Sequence, residues 1–429
     1  MKLFERLFKH ITLAFLLCFF APSTASSPNN EPTLQADSIE ISLLTCGPRQ
    51  QVYSLYGHTA IRFQDKQTGR DIAINYGVFS FDKPFFVLRF VFGLTDYEMG
   101  IAPFDIFEWE YGPTGCGVRQ QVLNLTAQEK MAIAQAVDRN MEPQNRVYRY
   151  NFFYDNCTTR ARDIIANNLN GRIVYDSSTP QHLNTSTPQH HNTPAQYPTF
   201  RNLIHNYNET HRWARFGNDL LLGVKADYNT TFEQQQFLPE RLCADFERAH
   251  IISADGTKRN LVSSSFWLFE PTTKQQSIQQ TNMSILDVFS PLVTFSILSI
   301  LTLIIAIVEY RRKRIIWVFD TSIMLTTGAC GLLLFAMIFS QHPTVSLNLQ
   351  ILLLNPINIF MLYSVTKAAR QNRIHWWTKA WSALILLLLA GSFLQSYAEG
   401  ITIVALSLLL RNISNIYTLK NTGSKQPEA

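Results

Sequence analysis

Two residues of the chain, Cys157 and His58, have side chains and sequence surroundings suited to nucleophilic chemistry. Cys157 follows Asn156, a good N-cap residue, and the sequence TTRARDIIANNL after it has a helical pattern. A thiol in the first turn of a helix has a lowered pKa, because unpaired N–H groups and the helix dipole stabilise the thiolate. The pattern therefore predicts a nucleophilic cysteine at the start of a helix.

A nucleophilic cysteine needs a base, and His58 in LYGHTAIRF is the best candidate. The residues from His58 to Phe63 alternate with the period of a strand. Residue types alone favour a plainer interpretation, in which His58 is a satisfied core histidine and Cys157 a small buried hydrophobe. Both interpretations stay open at the level of the residues.

The elements that must position this pair are strands and helices of a globular region. Strands are predicted at Ile39–Thr45, Val52–Phe63, Asp71–Phe81 and, from its alternating aromatic residues, Tyr150–Asp155, with a hairpin turn over residues 66–69. A helix over Thr126–Arg139 begins with a capping box formed by Thr126 and Glu129. The region is long enough to bury a sizeable core.

The N-terminus predicts export. Residues 1–25 have a basic start, an apolar stretch from Ile11 to Phe20 and small residues up to Ala25, which is typical of a secretory signal peptide; an uncleaved anchor is the alternative. Residues 26–285 are then the periplasmic catalytic domain. Within it, residues 177–194 contain the octapeptide STPQHLNT followed by STPQHHNT, and this composition predicts a mobile, dispensable loop.

The C-terminal third has apolar runs of membrane length, roughly 20 residues each. Five spans are predicted over residues 286–418, near 288–309, 316–340, 346–365, 376–395 and 401–417. Lys and Arg residues are concentrated in the loops after the first and third spans, so these loops and the tail 419–429 are cytoplasmic by the positive-inside rule. The net charge of +5 therefore needs no nucleic-acid partner.

Polar residues inside the spans are of two kinds. Arg411 interrupts the fifth span and is expected to snorkel to the interface. Asn348, Asn355 and Asn358 in the third span are spaced to lie roughly on one helical face. Intramembrane polar residues suggest a functional site, and the plainer alternative is hydrogen bonding between helices.

Three further cysteines of the exported region, Cys46, Cys116 and Cys243, can form at most one disulfide among themselves. An oxidising compartment permits such a bridge, and its pairing does not follow from the sequence. Cys46 is the rival nucleophile, but the Gly47-Pro48 after it argues against a helix start.

The motifs YGHTAIRF, INYGVFSF, YNFFYDNCTTRARD, FGNDLLLG and FLPERL together resemble the Lnb-type N-terminal periplasmic domain, over about Ile39 to Leu242. The membrane tail also suits Lnb proteins. This family is similar to permuted NlpC-type, papain-like folds, in which the His strand precedes the Cys helix. The resemblance implies an α+β periplasmic domain of that kind, followed by a five-helix transmembrane bundle.

The resemblance also implies a lipoprotein N-acyltransferase of the bacterial inner membrane. Cys157 and His58 match the nucleophile and base, and Asn75 is the expected orienter of His58. The acyl donor would be a membrane phospholipid and the acceptors would be lipoproteins, with no cofactor and no metal. Two rivals stay open: a periplasmic cysteine peptidase or amidase acting on peptidoglycan, and a non-enzymatic membrane-anchored binding protein.

Overall fold

The computed structural model describes residues 36–49, 51, 54–79, 84–85, 88–89, 92–176, 197–272 and 289–423. The predicted signal peptide and the loop 177–194 lie outside the described residues. The predictions made for these two segments, and the division into domains, stay predictions.

The first part of the chain is an α+β domain, as the resemblance implied, and it is built on a seven-stranded antiparallel sheet. Its spatial order is β10-β5-β1-β2-β3-β4-β6, and β7, β8 and β9 form a second sheet. The strands are β1 Ile39–Cys46, β2 His58–Asp65, β3 Arg70–Val78, β4 Asp96–Pro103, β5 Val118–Leu123, β6 Val147–Arg149, β7 Arg172–Val174, β8 His250–Ile252, β9 Lys258–Asn260 and β10 Val262–Phe269.

Helices cover both faces of the large sheet. They are α1 Phe104–Tyr111, α2 Ala127–Met141, α3 Pro143–Arg146, α4 Cys157–Ala166, α5 Phe200–His205, α6 Arg212–Leu221, α7 Phe232–Gln235 and α8 Pro239–Arg248. Apolar residues of α2, α4 and α8 pack with one side of β1, β2 and β3 into the main core. Phe104 and Phe107 of α1 pack on the other side. The strands are buried on both faces, which explains their long apolar runs.

Most of the predicted elements near the site are confirmed. The predicted hairpin joins β2 to β3, and α2 begins with the Thr126–Glu129 capping box. The strand predicted over Tyr150–Asp155 is wrong. This stretch is a turn closed by the Asn151–Asp155 bridge, with the Asn151 side chain accepting a hydrogen bond from the Phe153 N–H at 3.2 Å. Its aromatic residues alternate because some enter a cluster around Phe237, not because the backbone is extended.

The C-terminal part contains five helical stretches that are long and apolar enough to cross a membrane. The helices are α9 Pro291–Arg312, α10 Trp317–Ile338, α11 Ile357–Arg370, α12 Trp376–Ala390 and α13 Ile401–Gly423, with a short 3-10 helix Leu349–Leu352 before α11. The third stretch is not one continuous helix, because it breaks at Asn355 and Pro356.

The break at Pro356 corrects the interpretation of the three asparagines. Asn348 caps the short 3-10 helix, Asn355 accepts a hydrogen bond from the Ile357 N–H at the start of α11, and only Asn358 lies inside a helix. They therefore do not share one helical face. Asn358 joins helices by donating to Thr327 Oγ1 at 2.8 Å and accepting from Trp377 Nε1 at 2.8 Å. The helix-packing alternative is therefore the better account of Asn358.

Arg411 does not snorkel to the interface, because its side chain is only 2% exposed and points into the bundle. It donates to Glu309 Oε1 at 2.7 Å and to Asp320 Oδ1 at 2.5 Å. Asn415 Nδ2 also donates to Glu309, at 2.9 Å. We call these four residues the Arg411 cluster. It joins α9, α10 and α13, and a buried arginine is tolerated there because two carboxylates face it.

Side-chain amides attach the N-terminal domain to the bundle. Asn348 Nδ2 donates to the Leu220 carbonyl at 2.8 Å, and Gln350 Nε2 donates to the Asp219 carbonyl at 2.9 Å. Both amide side chains are buried. Since both acceptors lie at the end of α6, this helix is held against the apolar helices and fixes the N-terminal domain relative to them.

Candidate active site

Cys157 is the first residue of α4, the position that the sequence predicted. Asn156 caps the helix by accepting hydrogen bonds from the N–H groups of Thr158 and Thr159, both at 2.9 Å. The Asn156 amide nitrogen also donates to the Phe237 carbonyl at 2.8 Å. The cap is therefore held from both sides, and the thiol stays at the positive end of the helix.

His58 is the first residue of β2 and pairs with Cys46 of β1. Its Nε2 lies 3.1 Å from Asn75 Oδ1, on the adjacent strand β3. Because an amide oxygen only accepts, this contact places a proton on Nε2. In the neutral imidazole Nδ1 is then the nitrogen that can accept a proton. The Tyr111 ring is nearly parallel to the imidazole, at 13° with centroids 6.5 Å apart.

The thiol and the imidazole shift each other's pKa. Burial raises the pKa of the Cys157 thiol, but the charge and hydrogen bond of His58, with the Thr59 N–H and the Thr158 hydroxyl, lower it to about 7. Burial lowers the pKa of His58, but Cys157 and the Asn75 hydrogen bond outweigh burial and raise it above its usual value. Both shifts favour a thiolate–imidazolium pair near neutral pH.

The pair lines a cavity of about 360 Å³ that also contains Asn75. Arg49 and Glu110 also line it, but most of the other side chains are aromatic or aliphatic: Tyr56, Tyr76, Val78, Phe79, Tyr97, Tyr111, Tyr150, Phe152, Phe237, Leu238 and Pro239. Gly77, with a φ of +92°, lies beside Cys157 where β3 and β4 change register. A glycine suits this position because other residues rarely adopt such a φ. The cavity can accept an apolar group next to the thiol.

The rival nucleophile lacks this environment. Cys46 is buried, and burial together with the neighbouring Cys116 raises the pKa of its thiol well above the usual value. Cys46, Cys116 and Cys243 all carry free thiols, as does every other cysteine in the described part of the chain. A thiol with a raised pKa is a poor nucleophile at neutral pH.

The structure brings together all three residues that the sequence singled out: Cys157, His58 and Asn75. Their catalytic roles stay predictions. Sequence reasoning missed Tyr111, which lies over the His58 ring, and the Thr59 N–H that contacts the thiol. No local pattern marks either one, because each reaches the site through the register of the sheet. The described ranges contain no cluster of three or more His, Cys, Asp or Glu residues that could hold a metal ion.

Comparison with protein families matches both parts of the chain. The model described as the Lnb N-terminal periplasmic domain matches residues 27–203, which include the cavity residues His58, Asn75 and Cys157. The model described as the Lnb transmembrane domain matches residues 280–422. Comparisons with curated proteins and with solved structures gave no significant match. The N-terminal domain is therefore a periplasmic domain, and the apolar helices form a transmembrane domain.

Proposed function

This chain belongs to the Lnb family, and we propose that it is a lipoprotein N-acyltransferase of the bacterial inner membrane. It moves an acyl chain from a membrane phospholipid to the α-amino group of the lipid-modified N-terminal cysteine of lipoproteins. The observation that carries the proposal is the Cys157 thiol, whose pKa His58 helps to lower to about 7, in a largely apolar cavity of a domain attached to five apolar helices.

In the first half of the reaction, the Cys157 thiolate attacks the ester carbonyl carbon of the phospholipid. The bond from that carbon to the glycerol oxygen breaks, and the His58 imidazolium gives its proton to the leaving oxygen. The products are a lysophospholipid and a thioester on Cys157. The side chain of Asn156 engages the N–H groups of Thr158 and Thr159 but not that of Cys157, which supports the Cys157 N–H as an oxyanion donor.

In the second half, the α-amino group of the lipoprotein attacks the thioester. His58, now neutral, accepts a proton from the amine, and the Cys157 thiolate leaves. A thioester suits this step because it reacts with amines more readily than an ordinary ester does. An α-amino group has a pKa of about 7.7–8.0, so a useful fraction is neutral at the working pH. Asn75 keeps the imidazole oriented in both steps.

The attachment of the domain to the bundle supports a membrane substrate. Both substrates carry acyl chains and stay in the bilayer, and the amides of Asn348 and Gln350 hold α6 against the apolar helices. A wall-degrading peptidase or amidase with the same Cys–His pair would use water as acceptor and would not need five spans.

The test uses purified full-length protein in phosphatidylethanolamine vesicles, with a synthetic lipopeptide that has a free, lipid-modified N-terminal cysteine. We expect equal amounts of lysophospholipid and N-acylated peptide, both measured by mass spectrometry. The Cys157→Ser variant should form neither. Lysophospholipid with free fatty acid and no acylated peptide would contradict acyl transfer and indicate a hydrolase.

A further inference from the structure

A second, larger cavity of about 680 Å³ adjoins the catalytic cavity. Four residues line both of them: Gly47, Tyr56, Gly57 and Pro239. Two of the four are glycines, so Tyr56 and Pro239 are the described residues whose side chains line both cavities. Tyr56 has much the larger side chain, and it therefore decides how far the catalytic cavity extends.

The Tyr56 side chain is held in this position from several directions. Its ring packs edge-on against Phe152, with centroids 4.9 Å apart, and lies 5.9 Å from Tyr207. Its hydroxyl accepts a hydrogen bond from Asn218 Nδ2 at 2.8 Å. Asn218 belongs to α6, the helix that the bundle amides hold. The partition is therefore a fixed part of the structure.

The chemistry of the second cavity suits an apolar ligand. Its four charged side chains already have partners: Arg119 lies 3.7 Å from Glu247, Arg248 lies 3.8 Å from Asp245, and Glu240 accepts from the Tyr207 hydroxyl at 3.0 Å. The remaining lining includes the apolar or weakly polar residues Cys46, Pro48, Ala244, Trp267 and Pro271. A ligand in this cavity would mainly contact carbon and sulfur atoms, which favours a hydrocarbon chain over a peptide.

We propose that Tyr56 limits the length of the acyl chain carried on Cys157, and that a longer chain enters the second cavity only when the Tyr56 ring is displaced or replaced by a smaller side chain. This proposal rests on the acyl-transfer function proposed above. A chain that reaches the partition must either end there or displace the Tyr56 ring. A smaller side chain at position 56 would join the two cavities and admit longer chains.

In the experiment, the full-length protein is mixed with phosphatidylethanolamine vesicles in which short, intermediate and long saturated acyl chains are equally abundant. Intact-protein mass spectrometry then gives the distribution of acyl chains on Cys157 before acceptor is added. We expect Tyr56→Leu to raise the ratio of long to short chains by at least about tenfold, because a few methylenes in an apolar pocket discriminate by that much or more.

Two matched variants control this result. Tyr56→Phe keeps the ring and should leave the distribution unchanged, whereas Tyr56→Trp has a larger ring and should shift it towards shorter chains. If Tyr56→Leu forms an adduct with the wild-type distribution of acyl chains, the proposal is overturned but acyl transfer stands. A change in the KM for the lipopeptide would not alter that conclusion. No adduct on the wild-type protein with any chain would overturn both.

Discussion

The catalytic cavity and the Arg411 cluster both contain groups that can carry charge, but the Arg411 and Glu309 side chains are buried, whereas Cys157 and His58 are only partly buried. In the Arg411 cluster, both oxygens of Glu309 are engaged, by Arg411 and by Asn415. In the catalytic cavity, Asn75 holds one nitrogen of His58, and the Cys157 thiol faces a space of about 360 Å³.

The comparison shows that burial and charge do not by themselves indicate chemistry. A cluster whose carboxylates are engaged by fixed donors has no place for a substrate and mainly joins helices. A pair with a shifted pKa on the wall of a cavity can form a bond with an incoming atom. The first arrangement should therefore control stability and the second should control activity, and this distinction can be tested by substitution.

The largest expected effect comes from Cys157. Cys157→Ser should lower N-acylation by at least about 10⁴-fold, because nucleophile and base act as a unit and the loss of one removes the chemistry of both. The melting temperature of the full-length protein in detergent should change little. Cys46→Ser is the matched control. The pKa of the Cys46 thiol is raised, so this thiol is a poor nucleophile and the variant should retain most of the activity. Substantial acylation by Cys157→Ser would contradict the mechanism.

Arg411 should show the opposite behaviour. Arg411→Leu leaves the carboxylates of Glu309 and Asp320 without their cation, and breaking a buried ion pair in this way costs about 3–5 kcal/mol of stability. We expect a much lower melting temperature in detergent, with near-normal specific activity in the protein that remains folded. Arg311→Leu, at an exposed position of the same bundle, is the control. A stable but inactive Arg411→Leu protein would assign the cluster a role in function.

The pH dependence of the thiol tests the catalytic pair directly. The Cys157 pKa of about 7 means that its rate of alkylation should fall as the pH drops through about 7, because the reactive thiolate becomes protonated. His58→Ala removes the charge that lowers this pKa while burial still raises it, so the midpoint should move upward. At pH 7 the rate of iodoacetamide labelling should then be at least about tenfold lower. An unchanged midpoint would mean that His58 does not control the thiol.

Asn75 should have a smaller effect, because it acts on His58 and not on the substrate. Losing a hydrogen bond to a charged group costs about 1.5–3 kcal/mol, so Asn75→Ala should lower kcat by about 10-fold to 100-fold. Asn75→Asp retains an acceptor for Nε2–H and should recover part of the rate, with a higher His58 pKa visible in the pH–rate profile. Equal losses in both variants would instead indicate damage to the sheet.

Local patterns predicted the parts of the site that depend on local chemistry. The Asn156 cap and the helix start at Cys157 follow from residue types within a few positions, and the strand that carries His58 was predicted, although it begins at His58 and not at Val52. The Asn75 contact depends on the register between β2 and β3, and a short hairpin turn sets that register, so it was also within reach. These are short-range features of the chain.

The features that sequence reasoning missed depend on contacts between distant segments. Arg411 finds Glu309 and Asp320 on helices about 90 to 100 residues away, so its burial is invisible in the span that contains it. The aromatic alternation at Tyr150–Asp155 was misinterpreted because a turn packed into an aromatic cluster produces the same pattern as a strand. In both cases tertiary packing overrides the local signal.

The smallest expected effect sharpens the comparison within the bundle itself. Asn358 is fully buried and joins α11 to Thr327 of α10 and Trp377 of α12, but it carries no charge. Hydrogen bonds between membrane helices contribute about 0.6 kcal/mol each on average, so Asn358→Leu should cost about 1 kcal/mol of stability, far less than Arg411→Leu. Thermal unfolding of the two variants in the same detergent measures the difference.

The same variant also tests for a role in activity. The hydrogen-bond partners of Asn358, Thr327 and Trp377, do not line the catalytic cavity, so N-acylation should stay at the wild-type level. A loss of activity without a loss of stability would revive the functional interpretation of the intramembrane asparagines.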